Sequence, residues 1–480
     1  MKKHFLTVLF SIAAFAVYSQ NKIEKIDLLL KTYTSYDALN GSILIAENGK
    51  VVYKKGFGKA NFEWNIDNTP ETKFEIASMS KLFTAVIILQ LVEAGKLTLE
   101  GKISDYLPDY PKDKGQKITI QQLLTHTSGI TDTRFIKNFD NEYGMESRPH
   151  AGFINLFKDE KLLFEPGTSF SYSNFGYNLL AYIAESVTGK SFSDLLQEKI
   201  FGVAGMENSS TLEDPLVAGK TASGYEMRFS DIQKAHYHDP SASFGSGSVL
   251  ITVSDYFLFQ EALTDGKLLS KKYLQILFTP VTKASGELTG YSLWYDKLAL
   301  NKADTITIIR SAGSHFGVNT VGYSATKNDM QLLMFLNVKN PRMFEIADNV
   351  TNILYGLPVE EPKDSYAHIF NIDVQKNSVA YALGHYENLK KKNAGTLVFR
   401  DFNRLGYFYM DKGRFDAAIE VFKLNITAFP QNAGGYDSLG EAYMKTGNKQ
   451  LAIKNYQRSV ELDPNNANAA EMIIRLNDKK

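Results

Sequence analysis

The sequence predicts an α+β domain followed by an all-α region of helical repeats. Three observations carry this prediction. Strand-like segments fall at both ends of a compositionally even block, residues 20–357, with helix-like segments between, so a single antiparallel sheet joins the two ends. Further on, Leu405-Gly406, Tyr409, Gly413, Ala418, Phe422 and Pro430 recur as Leu439-Gly440, Tyr443, Gly447, Ala452, Tyr456 and Pro464, at an offset of 34 residues. Between the block and the repeats, Pro358-Val-Glu-Glu-Pro-Lys363 concentrates prolines and charges and reads as a linker.

Composition narrows the function classes. Across 480 residues, 53 Lys+Arg balance 53 Asp+Glu, which leaves no electrostatic footprint for nucleic acid. An apolar share of 44% excludes wholesale disorder. The cysteine count is zero, which removes disulfide frameworks, thiolate metal sites and cysteine nucleophiles together.

Taken in order, the chain begins with a targeting signal. Lys2, Lys3 and His4 precede an uncharged run, Phe5 to Tyr18, and Val17-Tyr18-Ser19 places small or β-branched residues at a cleavage site. The run is too short for a ~30 Å bilayer core, and no Cys follows it to take a lipid. Residues 1–19 are therefore expected to be cleaved, leaving a periplasmic or secreted protein with no membrane anchor. Gly41 to Ala46, Asn48-Gly49 and Val51 to Tyr53 predict a β-hairpin, because Asn-Gly supplies the positive φ of a two-residue turn. Ser80 to Gly95 is apolar and ends at a Gly, a helix of roughly four turns. Thr305–Ser311, Gly322–Thr326 and Met330–Asn337 predict three more strands. Residues 358–399 are assigned to linker and leading helices, with one helix over Val379–Lys392, and residues 400–480 to the repeats.

The chemistry concentrates at Ser78-Met-Ser-Lys81. A Ser and a Lys three apart at a helix start lie on one face, where a desolvated Lys can lose its proton to become a base. The helix start also offers unpaired N–H groups to an oxyanion. The same spacing at Ser324 and Lys327 falls on a strand and turn. Downstream stand Leu123-Leu124-Thr-His126-Thr-Ser-Gly129, then Tyr172-Ser-Asn174 after a Pro166-Gly167 turn, then Gly245–Asp255, then Ser311-Ala-Gly313-Ser314-His315. His236-x-His238-Asp239 could form half of a metal site, but no third ligand cluster accompanies it, so no metal and no cofactor are expected. There is no Gly-x-Ser-x-Gly and no phosphate loop.

These ordered motifs resemble the class C β-lactamases and penicillin-binding-protein-like serine hydrolases, over about Ile43 to Asn337. The 34-residue unit resembles the tetratricopeptide repeat, over about residues 400 to 470. The first resemblance implies a β-lactamase/DD-peptidase-like domain: an antiparallel sheet with flanking helices and a helical subdomain. It implies Ser78 as nucleophile, Lys81 as its partner, Tyr172 as the phenol that shuttles the proton, and Asn174 holding either the substrate amide or Lys81. Which of Lys81 and Tyr172 is the base stays open. His126 is read as structural. In the third motif Ser311 stands where the family has Lys or His, and that cation ordinarily binds a substrate carboxylate. Arg310, adjacent on the strand, should face the other way. His315 could restore the charge from the following loop, Gly313 leaves room for substrate, and the Ser314 N–H could join that of Ser78 as an oxyanion hole.

The expected function is an acyl-enzyme serine hydrolase acting on small esters or on D-amino-acid, peptidoglycan-type amides. A β-lactamase or D-Ala-D-Ala carboxypeptidase is the alternative within enzymes. An inert scaffold working through a protein or peptide ligand on its repeats is the alternative of another class.

Overall fold

The computed structural model describes residues 21–478 apart from 137–143, 215–218, 230, 283–287 and 341. The expected signal sequence lies outside the described residues. The chain divides into two units, one of residues 1–226 and 234–360, the other of residues 227–233 and 361–480.

The first unit is organised by an eight-stranded sheet. Its strands are β1 (Gly41–Glu47), β2 (Lys50–Phe57), β3 (Val281–Thr282), β4 (Leu288–Thr289), β5 (Trp294–Ala299), β6 (Thr305–His315), β7 (Val318–Ala325) and β8 (Met330–Leu336). They run in the order β3-β4-β5-β6-β7-β8-β1-β2. The expected closure of the block's two ends is the antiparallel pairing of β1 with β8, Gly41 opposite Leu336. The turn from β1 to β2 holds Asn48 at φ 53° and Gly49 at φ 69°, the left-handed pair that an Asn-Gly hairpin needs.

Both faces of the sheet are covered, and side-chain alternation divides them. Leu44 and Ala46 of β1 and Leu333 and Phe335 of β8 join the core that holds the helical subdomain. Ile43, Ile45, Leu332 and Met334 point the other way, onto Ile26, Leu30 and Tyr33 of a helix at residues 21–35 and onto helix Met343–Leu354. Helix α1 (Ser80–Glu93) runs through the first core with all its apolar residues but Val92 buried, as its strongly apolar sequence predicts. Helix α2 (Asn174–Thr188) and helix α3 (Val253–Thr264) belong to the same unit.

Strand β6 runs four residues past the end predicted at Ser311. His315 is thus its last strand residue, which corrects its expected place in the following loop. Arg310 lies on the opposite face as expected, near the rings of Tyr323 and Phe344 and paired with Asp296.

The second unit is all-α. Its repeats are helices Phe399–Asp411 and Phe415–Ala428, then Ala433–Lys445 and Lys449–Leu462, then Ala467–Asp478. The turn glycines Gly413 and Gly447 sit at φ 69° and 78°. The repeated Leu-Gly has a packing reason: a Cβ on Gly406 would lie 2.3 Å from the Phe422 ring, and one on Gly440 3.0 Å from that of Tyr456. The leading helices before the repeats are Tyr366–Lys376 and Val379–Lys391, of which only the second was placed from the sequence. Tyr366, Phe370, Val374, Ala382 and Tyr386 share one core with Phe402 and Leu405. Phe229, from the inserted residues 227–233, packs within this unit at a tilt against Phe408, their centroids 5.6 Å apart.

Candidate active site

Ser78 sits in a single 3-10 turn, Ala77–Met79, leading directly into α1. Ala77 holds φ 46°, a strained setting for a residue with a Cβ. The turn is pinned from the sheet side, since Thr320 Oγ1 donates to the Ile76 carbonyl at 2.9 Å. Strand β6 passes so close that a Cβ on Gly313 would lie 2.2 Å from Ile76 O and 3.0 Å from Ser78 N. Only glycine lets the strand approach the nitrogen of Ser78 in this way.

Lys81, one turn further, is fully buried. Its Nζ donates to Ser78 Oγ at 3.2 Å, Asn174 Oδ1 at 2.7 Å and the Ser246 carbonyl at 2.7 Å. Burial pulls its pKa down to about 7, against the carboxylate of Asp132, which works to raise it. The arrangement has a chemical consequence. A neutral amine keeps two N–H donors, which the two fixed oxygens of Asn174 and Ser246 can take, and its lone pair then faces Ser78 Oγ.

Tyr172 and Asn174 arrive together at the start of α2. The side chain of Ser173 caps this helix, accepting from Gly176 N at 3.1 Å and donating to the Thr131 carbonyl at 2.8 Å. The cap sets Asn174 in the first turn, and the Tyr172 ring centroid 5.0 Å from Lys81 Nζ. Of the two roles open for Asn174, its side-chain oxygen takes the contact with Lys81.

The third motif is divided. Gly313 lies against Ser78, and Ser314 is exposed opposite Asn319. Ser311, expected to face substrate, is instead buried with its hydroxyl 3.3 Å from that of Tyr256. Strand alternation puts Ser311 and Gly313 on one face, but a side chain as short as Ser's does not reach along it. His315 Nδ1 lies 2.9 Å from a carboxylate oxygen of Glu75, and its ring meets that of His238 edge-on at 4.4 Å. Burial lowers the His238 pKa to about 4, with nearby His315 adding to the shift. Among the described residues, no three His, Cys, Asp or Glu side chains converge as metal ligands.

Three participants were not read from the sequence. Asp132 is buried, and its carboxylate accepts the Asn174 N–H at 2.5 Å. Its signal was a lone carboxylate just beyond the His126 segment. Ser246 contributes a carbonyl, foreshadowed only by the glycines around it. The third is the close packing of the His126 ring on Tyr172.

Comparison with known proteins identifies the family. A family model for Beta-lactamase matches residues 26–354. The chain belongs to the beta-lactamase family. Within this family of serine hydrolases, it is 34% identical over 267 residues to a putative penicillin-binding protein, PbpX, of Bacillus subtilis strain 168. That match covers 55% of this chain and 65% of the relative, so the chain spans just under two thirds of that protein. A second penicillin-binding protein of the same strain is 30% identical over 365 residues, covering 72% of this chain and 78% of the relative. A solved penicillin-binding protein from Bacillus halodurans superposes with a TM-score of 0.61 at 29% identity, covering 68% of this chain and 98% of that one. A D-amino acid amidase from Ochrobactrum anthropi shares the fold, with a TM-score of 0.61 at 22% identity over 70% of this chain and 99% of that one. Tetratricopeptide repeat models match residues 402–432 and 433–466.

Proposed function

We propose that this family member hydrolyses small uncharged esters, or D-amino-acid amides of the peptidoglycan type, through an acyl-enzyme on Ser78. The observation that carries the reading is the setting of Lys81, fully buried against three oxygens with its pKa pulled down to about 7. Ser78 Oγ attacks the substrate carbonyl and gives its proton to the pair formed by Lys81 and Tyr172. The tetrahedral oxyanion sits between the N–H groups of Ser78 and Ser314. The proton passes to the leaving alkoxide or amine, the carbon–oxygen or carbon–nitrogen bond breaks, and water later releases the acid.

The substrate class follows from charge. Ser311 carries no cation, and His315 is tied to Glu75, so among the described residues of the third motif neither holds a free positive charge out to a substrate carboxylate. A charge-assisted hydrogen bond contributes about 1.5–3 kcal/mol, so carboxylate-bearing substrates lose roughly ten- to a hundred-fold. We place a protein or peptide ligand on the repeats and export on residues 1–19. Among the described residues, no helix is long and apolar enough to cross a membrane.

A fluorophosphonate probe read by intact mass tests the chemistry. Labelling should occur and vanish in Ser78→Ala, whereas an unlabelled wild type overturns the enzyme reading in favour of a scaffold. A panel of p-nitrophenyl butyrate, a D-amino-acid amide, a D-Ala-D-Ala peptide and nitrocefin tests the substrate class. Faster turnover of nitrocefin or the D-Ala-D-Ala peptide than of the ester and the amide overturns it.

A further inference from the structure

We infer that His126 is a positioning residue for Tyr172, holding its ring beside Lys81. The inference rests on the reading of Tyr172 as a proton carrier.

His126 grips the segment around Tyr172 at three successive residues. Its carbonyl accepts the Ser171 N–H at 3.0 Å. Its ring stacks on that of Tyr172, centroids 4.5 Å apart and planes 30° from parallel. Its Nδ1 accepts the Ser173 N–H at 3.2 Å. Because a backbone N–H can only donate, Nδ1 carries no proton and the ring proton is on Nε2. That nitrogen meets Ser292 Oγ at 3.1 Å, so the ring is fixed at both ends in one tautomer.

Two further features set this apart from an ordinary core histidine. His126 is buried, and its backbone holds φ 58°, a left-handed conformation that costs a side-chain-bearing residue about 1–2 kcal/mol. The turn carries this cost while aiming the ring at the one segment that supplies Tyr172, the Ser173 cap and Asn174. A phenol that must carry a proton over hydrogen-bond distance tolerates little displacement, and a shift of about 1 Å can cost about a hundred-fold in rate.

The test is a double-mutant cycle on p-nitrophenyl butyrate hydrolysis by the full chain, with His126→Ala, Tyr172→Phe and the double variant. Expected is a ten- to hundred-fold loss of kcat in His126→Ala, roughly following, with KM nearly unchanged. In the Tyr172→Phe background, removing His126 should cost no more than about twofold, since residues acting as a unit are not additive. Equal losses in both backgrounds, or no loss in His126→Ala beside a damaged Tyr172→Phe, overturn the positioning role alone. Full activity of Tyr172→Phe overturns the reading of Tyr172 itself, and this inference with it. If His126→Ala does not fold, His126→Asn serves instead. It keeps an acceptor for Ser173 and tolerates the positive φ, and its smaller loss should again vanish without the phenol.

Discussion

The ammonium of Lys81 donates to the side-chain oxygen of Asn174 at 2.7 Å, across 93 residues of sequence. The backbone N–H of that same Asn174 donates to Asp132. Lys81 is therefore poised between desolvation, which favours the neutral amine, and a nearby carboxylate, which favours the cation.

This balance predicts opposite pH shifts for two isosteric changes. Wild-type kcat/KM should rise with pH about a midpoint near 7, as Lys81 loses its proton. Asn174→Asp sets a second carboxylate against the cation and should move the midpoint up by about 1 unit or more. Asp132→Asn keeps an acceptor for the Asn174 N–H and should move it down. Coincident pH profiles for the three proteins would remove Lys81 from the proton path.

Gly313→Ala should be nearly inactive. The new Cβ would meet Ile76 O at 2.2 Å and Thr320 Oγ1 at 2.6 Å, and the backbone carbonyl cannot rotate away as a side chain could. Pushing β6 from the Ser78 turn should cost about a hundred-fold or more in kcat, the scale of a lost oxyanion donor. Overpacking adds about 1–3 kcal/mol of destabilisation. Ester kinetics and thermal melts measure the two separately.

His150 should make stability depend on pH. Its ring nitrogens lie 2.9 Å from Glu185 and 2.9 Å from Glu213, and the ring stacks on Phe244. Burial works to lower its pKa, but the two carboxylates outweigh it and raise the pKa to about 9. A raised folded-state pKa means the contribution is complete below the unfolded value of about 6.5 and lost as pH climbs through about 9. The contribution is on the order of 3 kcal/mol at most. Urea unfolding should show wild type weakening over that window relative to His150→Gln, and parallel curves would contradict it.

Truncation after Pro358 should leave a folded hydrolase that aggregates until one residue is changed. Phe229 packs against Phe408, which the truncation removes, so an aromatic side chain is bared on residues 227–233. Adding Phe229→Ser should restore a monodisperse protein that the fluorophosphonate probe still labels. An inactive double variant would mean that the hydrolase needs the second unit to fold.

What the sequence determined by itself is whatever local geometry fixes. Ser78 and Lys81 meet because three residues make nearly one helical turn. Asn48-Gly49 turns a hairpin because those residues accept positive φ. The repeats announce themselves because each unit restates the same short-range packing, Gly406 under Phe422 and Gly440 under Tyr456. Strand alternation likewise placed Arg310 away from the site. Tertiary structure decided what depends on segments distant in sequence meeting in space. The Ser246 carbonyl and Asn174 complete the shell of Lys81, Asp132 opposes its loss of charge, and His126 clasps Tyr172. It also turned Ser311 towards Tyr256, bound His315 to Glu75, and enrolled residues 227–233 in the repeat unit. None of these has a spacing rule. Each arises from side chains brought together by packing, and a lone carboxylate, carbonyl or imidazole reads in sequence like any other.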